Sequence, residues 1–355
     1  MEKKKSQVDN YQRRKRKTRI ISVTLLVLLF LLTIISMVIG QYGISPLRCI
    51  RIVLGIEVAD EATATMLRNI MLNIRLPRTI ASIVIGGALS IAGLTYQCVF
   101  RNMLVSQDVL GVSTGACVGA AIAIILDLSI YSIQGFSFVV GMISVFFVFL
   151  LSRFFKVEKT LSLILSGILI SGLMSSVLGY IKYTANPETH LQSIVYWIMG
   201  DLSSVSMKQI SQIVIPITVC TVVILIHRWK LNFFGYSDSE AINLGFNINI
   251  YRALFIICAT ILVSMSVSVS GAIGWIGLVI PLLVRTLIGT DNNDTTGLSF
   301  ILGAIFLLSM DIINRLISSA ELPISILTGI VGTPVFVICL IIRQRMENKN
   351  YAESE

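Results

Sequence analysis

The sequence predicts an all-α integral membrane protein of about ten transmembrane helices, and three observations carry that prediction. Of its 355 residues 55% are hydrophobic and only 13% charged, with a mean hydropathy of +0.86; soluble chains carry roughly 25% charged residues. Ten apolar runs follow one another, at 20–40, 77–99, 109–126, 136–155, 161–181, 209–227, 252–270, 274–289, 298–317 and 323–342. About 20 apolar residues let a helix cross a bilayer. The charges fall between the runs, in a pattern that counts the crossings.

A basic cluster opens the chain: Lys3 to Lys5, Arg13 to Lys17 and Arg19 all precede the first run. The net charge of +9 therefore reads as a cytoplasmic tail, residues 1–19, that anchors and orients the first helix beside the bilayer. It does not read as a nucleic-acid surface. Run 20–40 is too long for a signal-peptide core and no small-residue cleavage site follows it, so it is retained.

With that start inside, ten crossings put Arg153, Lys156, Lys159, Arg228 and Lys230 inside. They also put Arg343, Arg345 and Lys349 of the tail 343–355 inside, so both termini are expected to be cytoplasmic. The eighth run is short, and Gly271, Gly274, Gly277 and Pro281 weaken it; hydropathy alone leaves nine or ten spans open. Both tails read as disordered. Segment 41–74 is an outer connection with room for a short helix. Segment 182–208 is outside too, with Leu191 to Gly200 as a short amphipathic piece on the surface.

The stretch from Arg75 to Gly119 is the densest in small residues. Pro77 suits the first turn of a helix, where its missing N–H costs nothing. Ser82, Gly86 and Ser90 share one helical face, and Gly111, Gly115 and Gly119 share another. Such spacing lets helix backbones approach closely in a membrane. In the fifth run Ser171, Ser175 and Gly179 form a similar smooth, weakly polar face, which suits packing or a pathway equally.

The largest inside loop is 228–251. Ser237 or Asp238 can cap a helix start and Gly245 can end it, with Phe233, Phe234, Ala241 and Leu244 as contact residues. A helix packed on its own protein is the equal alternative. Arg75 and Arg78 precede a helix N-terminus, where the macrodipole disfavours positive charge. They point to an anionic partner, or else to lipid headgroups. Arg315 stands four residues after Asp311, at ion-pair spacing.

Other chemistries fit less well. The six cysteines show no disulfide or metal spacing, and no GxxxxGK[ST] phosphate loop occurs, so ATP is not hydrolysed by this chain. Gly111-x-Ser113-x-Gly115 with His227 as base would suit an intramembrane serine hydrolase. That pattern belongs on a strand-to-helix turn, whereas here it opens an apolar helix. A channel would need a charged filter, which is not visible. Beyond Asp311 and Arg315 the spans hold almost no ionisable groups. A bare metal ion needs such groups in place of its water, so a metal cargo would arrive wrapped in an organic chelator.

Several motifs resemble one family. Arg75-Leu-Pro-Arg78, Gly93 with Gln97, Phe100-Arg-Asn102-x-Leu104 and Leu110-Gly-Val-Ser113-x-Gly115 are similar to the signature of FecCD-type permeases, the membrane subunits of ABC importers for iron chelates, haem and cobalamin. Trp197-x-Met199-Gly200, the run Gly271 to Pro281 with Arg285, Glu321-Leu-Pro323 and Gly332-Thr-Pro334-Val-Phe336 extend the likeness to residues 75–336. The chain departs from the family at Met103 and Gln107-Asp108, where prolines are usual, and at Leu282, where a His often stands.

The resemblance implies a type II ABC importer permease architecture over residues 20–342, with 228–251 as a cytoplasmic coupling loop. It implies a second permease subunit, identical or homologous, two ATPase subunits that use the ATP, and an extracytoplasmic substrate-binding protein. No cofactor is expected on this chain. It assigns docking of the binding protein to Arg75, Arg78 and Arg315, and ATPase coupling to Ser237, Asp238, Ala241, Leu244 and Gly245. It assigns a cytoplasmic gate to Asn102, Leu104, Thr160 and Leu161, and the pathway to Ser171, Ser175 and Gly179. The wording of residues 104–111 and of Asn186-Pro-Glu188 resembles ferric-siderophore members more than cobalamin members.

Overall fold

The computed structural model describes residues 2–40, 51, 61–317 and 322–352. Cys49, Glu321 and most of the outer connection expected at 41–74 lie outside the described residues. Among those described are thirteen α-helices: α1 (Glu2–Val38), α2 (Glu61–Asn69), α3 (Leu76–Val99), α4 (Val112–Ile125), α5 (Ile130–Ser152), α6 (Lys159–Thr184), α7 (Gln192–Met199), α8 (Met207–Ile226), α9 (Asp238–Asn243), α10 (Ile248–Ser270), α11 (Ile276–Ile288), α12 (Asn292–Ile317) and α13 (Ile324–Ala352). Eight hold stretches long and apolar enough to cross a membrane, and α4 and α11 are shorter apolar helices. Each of the ten runs thus forms a helix.

Two local expectations change. The tails are not disordered where described: α1 starts at Glu2 and α13 continues to Ala352. Lys, Arg, Gln and Glu are good helix formers, and extending a helix already nucleated by an apolar stretch costs little. Pro77 stands in the first turn of α3, as expected, but that turn is not a free helix start. Residues Ile70–Arg75 form a π-helical turn that joins α2 to α3. A proline ring crowds the carbonyl four residues back, and the wider turn relieves that clash while the helix continues.

Helix α3 is the hub. It packs against α8, α10, α11 and α12, and 83% of the apolar window that includes it is buried, against 6% in α1 at the periphery. Small residues make this possible. A Cβ on Gly86 would lie 2.4 Å from the Gly303 carbonyl oxygen of α12, and one on Gly93 only 1.9 Å from that of Gly277 in α11. The Ser82–Gly86–Ser90 face is therefore a packing seam. Gly115 and Gly119 do the same for α4 against Ser144 and Phe136 of α5.

Both short helices begin part-way along the bundle. The loop after α3 reaches Gly111 (φ +69°), whose missing Cβ lets it rest on Ser171, about 18 Å along α6 from Lys159 at 1.5 Å per residue. The extended stretch 271–275 delays α11 in the same way. The two breaks meet: Gln107 Nε2 donates to the Ile273 carbonyl at 2.9 Å. Non-helical backbone at such depth is tolerated only where protein covers it, and Gln107 is fully buried.

Candidate functional site

The side chains expected to be functional gather at the two ends of the bundle and along α6. At one end, here the basic end, lie the loop after α3, the start of α6 and the connection between α8 and α10. Lys17 of α1 reaches the same end, donating to the Leu287 carbonyl at 3.1 Å.

The connection 228–247 folds as a 3-10 turn, Arg228–Gly235, followed by α9. Ser237 and Glu240 form a reciprocal capping box: the Ser237 N–H donates to Glu240 Oε2 at 2.8 Å, and the Glu240 N–H to Ser237 Oγ at 3.3 Å. Two orphan donors are satisfied this way, and the Ser237 backbone and hydroxyl hold the Glu240 carboxyl below its usual range. Gly245, at φ +77°, ends the helix. Beneath α9, Phe233 stacks on Phe246 (4.5 Å between centroids) and Phe246 on Tyr251 (4.9 Å).

The expected contact residues fall on two sides of the loop. Ala241 and Phe234 are buried under the loop, while Leu244, Ile242 and Tyr236 stand exposed. Ala241 faces inward because the helix needs an apolar side to seat it; a surface for a partner is left to the opposite side. Asp238 turns sideways. It accepts from Arg252 Nη2 at 2.9 Å and from Arg101 Nη2 at 2.6 Å. Burial pushes its carboxyl up, but the hydrogen bonds and charge of Arg252, then of Arg101, more than reverse this and leave it below the usual range.

The four residues expected at the gate lie beside this cluster. Asn102 Oδ1 accepts from the Leu104 N–H at 2.9 Å, a tight turn that leaves Leu104 exposed. Leu161 is exposed as well, whereas Thr160 is buried. Arg101 and Glu158, joined at 3.2 Å, tie the two gate segments together. A cavity of about 560 Å³ opens nearby between Gln97, Arg101, Phe234, Arg285 and Asn292. No residue of α6 lines it, so it lies apart from the expected pathway.

Along α6, Ser171 Oγ lies 3.3 Å from Thr114 Oγ1 of α4. Ser175 and Gly179 are exposed, and a Cβ on Gly179 would meet nothing within 4 Å. Leu169, Leu173, Tyr180 and Tyr183, around the helix from Ser175, are exposed as well. Ser171 thus belongs to a packing seam, and the face becomes open beyond it.

At the opposite end the three expected docking arginines are turned into the chain. Arg75 Nη1 donates to the carbonyls of Met37 and Val38 at 2.8 and 2.9 Å. Arg315 donates to the Ser36 carbonyl at 2.8 Å and to Asp311. Arg78 Nε meets Asp311 Oδ1 at 2.5 Å, and Ser36 Oγ sits 2.7 Å from Thr79 Oγ1. The reason lies in α1. Its last carbonyls have no intrahelical partner, cations suit a helix C-terminus, and this peripheral helix has little else to hold it. Asp311, fully buried, balances part of the charge. These guanidiniums are engaged, not presented.

Sequence reasoning gives no role of their own to Arg101, Arg252, Gln107 and Arg285, the last donating to Gln97 Oε1 at 2.9 Å. Their partners stand from 14 to 188 residues away in sequence. The serine-hydrolase pattern does not assemble: Ser113 opens α4, while the His227 ring bonds the Val223 carbonyl at 3.0 Å and packs against Tyr251.

Comparison with known proteins agrees with this architecture. The model of the FecCD transport family matches residues 27–343. The molybdate import system permease protein MolB of Haemophilus influenzae is 33% identical over 312 residues, covering 88% of this chain and 92% of that protein. A permease assigned to iron chelatin transport in Helicobacter pylori is 35% identical over 269 residues, covering 76% and 81%. A solved structure described as an inward-facing conformation of a metal-chelate type ABC transporter superposes with a TM-score of 0.82 at 31% identity, covering 90% of this chain and 98% of that one. This chain belongs to the FecCD transport family, as a multi-pass permease subunit of an ABC importer that is not itself catalytic.

Proposed function

We propose that this chain forms half of the translocation path of an importer for an iron chelate, most simply a ferric siderophore, in the cytoplasmic membrane. A second permease, identical or homologous, covers the open face of α6. Two ATPase subunits bind at the basic end, which is cytoplasmic together with both termini. A binding protein delivers cargo at the opposite end, and ATP binding and hydrolysis in the ATPases drive alternating access. No cofactor belongs to this chain.

The observation that carries the cargo assignment is the open side of α6. Leu169, Leu173, Ser175, Gly179, Tyr180 and Tyr183 offer hydroxyl, aliphatic and aromatic surface, and charge enters only with the half-buried Lys182 in the last turn. Such a face suits an organic-coated chelate. A tetrahedral oxyanion such as molybdate would find one cation, Lys182 at the end of the helix, and otherwise uncharged surface to replace its lost hydration. Haem and cobalamin, whose surfaces are also organic, are the second reading.

Docking through Arg75, Arg78 and Arg315 would require acidic residues of the binding protein to replace the bonds these arginines make inside the chain. Arg75→Gln tests it by loss of binding-protein affinity in a transporter that still folds. The cargo test is uptake of radiolabelled ferric siderophore, haem, cobalamin and molybdate by cells with and without this chain. Chain-dependent, ATP-dependent uptake of the siderophore is expected. Uptake of molybdate alone overturns the assignment.

A further inference from the structure

One side chain at the basic end touches every element that the coupling reading requires. Arg101 stands just past α3, at φ +52°, a left-handed conformation uncommon for any residue but glycine. Its guanidinium uses three nitrogens on three separate segments. Nε donates to the Phe234 carbonyl at 2.7 Å, in the turn before α9. Nη2 donates to Asp238 at 2.6 Å, in the first turn of α9. Nη1 donates to Glu158 at 3.2 Å, the residue immediately before α6.

The positions of these partners matter. Asn102 and Leu104 follow Arg101 by one and three residues, and Thr160 and Leu161 follow Glu158 by two and three. Asp238 is also held by Arg252 of α10, so α9 has its own anchor without Arg101. The bond from Arg101 is therefore surplus to seating α9. It connects α9 to the loop after α3 and, through Glu158, to the helix with the open face. The links are also graded: Phe234 is buried, Asp238 is about three-tenths exposed, and Glu158 is mostly exposed at 59%. Exposed pairs are weak and exchange easily, so the bond to Glu158 is the one able to open while the other two hold.

We propose that Arg101 is a positioning residue that transmits movement of α9 to both gate segments, so that events at the ATPases open or close the inner end of the path. The inference rests on the reading of α9 as the ATPase contact. Only a planar fork of fixed donors serves three acceptors in three directions; a lysine ammonium at the same position is a flexible point charge.

The test uses the whole importer, this chain with its ATPases, in liposomes, with ATP hydrolysis measured with and without its binding protein. Arg101→Gln is expected to co-purify with the ATPases and to keep basal hydrolysis within about twofold. Acceleration by the binding protein falls by about fivefold or more, the lower range of allosteric coupling. Arg101→Lys, which keeps the charge and suits the case in which the first variant does not fold, is expected to lose the response as well. An intact response in both variants overturns the proposal. So does loss of the ATPases on purification, which would make Arg101 an assembly residue. Leu244→Glu, on the exposed side of α9, tests the underlying reading: the ATPases should no longer co-purify. If they still do, that reading fails. If they are lost while Arg101→Gln and Arg101→Lys keep the response, the transmission role alone fails.

Discussion

Two arginine–carboxylate clusters hold opposite ends of this permease, and they are built differently. At the end away from α9, Arg78 and Arg315 share one carboxylate, Asp311, and all three side chains are nearly sealed from solvent, at 3%, 6% and 0% exposure. At the basic end, Arg101 and Arg252 share Asp238, Glu158 adds a second carboxylate, and exposure runs from 5% to 59%. The first cluster fastens the end of α1 to α3 and α12, which do not have to move relative to one another. The second joins loops and helix starts, the segments that the proposed coupling requires to move. Burial makes an ion pair stiff because breaking it leaves charge without water. Exposure makes one replaceable. Arginine and carboxylate thus act as a clamp in one place and a joint in the other.

The largest effect should come from removing the clamp's acid. Asp311→Asn takes away the carboxylate on which two buried guanidiniums converge, and the cost for breaking such a buried arrangement is about 3–5 kcal/mol. Thermal unfolding of the detergent-solubilised chain should show a large drop, with α1 the first element to gain hydrogen exchange. A variant as stable as the wild type would remove the distinction between the two ends.

Asp238→Asn should have a smaller effect on stability. Arg252 is buried but Asp238 and Arg101 are partly hydrated, which places the loss at about 1–2 kcal/mol, between the regimes of exposed and buried pairs. Its functional effect should exceed its structural one, with transport falling further than the yield of folded protein. Equal destabilisation by Asp238→Asn and Asp311→Asn would mean that both clusters are clamps.

How far the sequence reveals this arrangement depends on the range of the signal. The ten spans are legible because hydropathy is a local property. The cap of α9 is legible because Ser237, Glu240 and Gly245 act within one turn. The Asp311–Arg315 spacing gives one arm of the clamp, i to i+4. The other arm is not legible, because Arg78 lies 233 residues from Asp311. The inward turn of Arg75 and Arg315 follows from unmet carbonyls at the end of α1, and no pattern in their own neighbourhood announces it. Arg101 looks like one more interfacial cation until Glu158, Phe234 and Asp238 stand around it. Only the resemblance assigns Ala241 to a partner surface, and a helix of six residues carries too few positions for periodicity to tell its faces apart.

The smallest and most specific effect is acidic. The ordinary carboxyl value for Asp238 is 3.8, and Arg252 and Arg101 hold the folded value below it. A carboxyl depressed by folding adds stability that is fully present above the unfolded value and disappears as the pH falls through the folded one. Glu240 moves in the same direction through Ser237, so the two reinforce one another. Seating of α9 should therefore be flat from about pH 8 to about pH 5 and should loosen only below about pH 4. Amide hydrogen exchange over residues 237–245, corrected for the intrinsic rate, reads this directly. In Asp238→Asn most of the acid step should vanish, leaving the share due to Glu240. A step centred near neutrality instead would assign the seating of α9 to some group other than these carboxylates, and the joint would have to be redrawn around it.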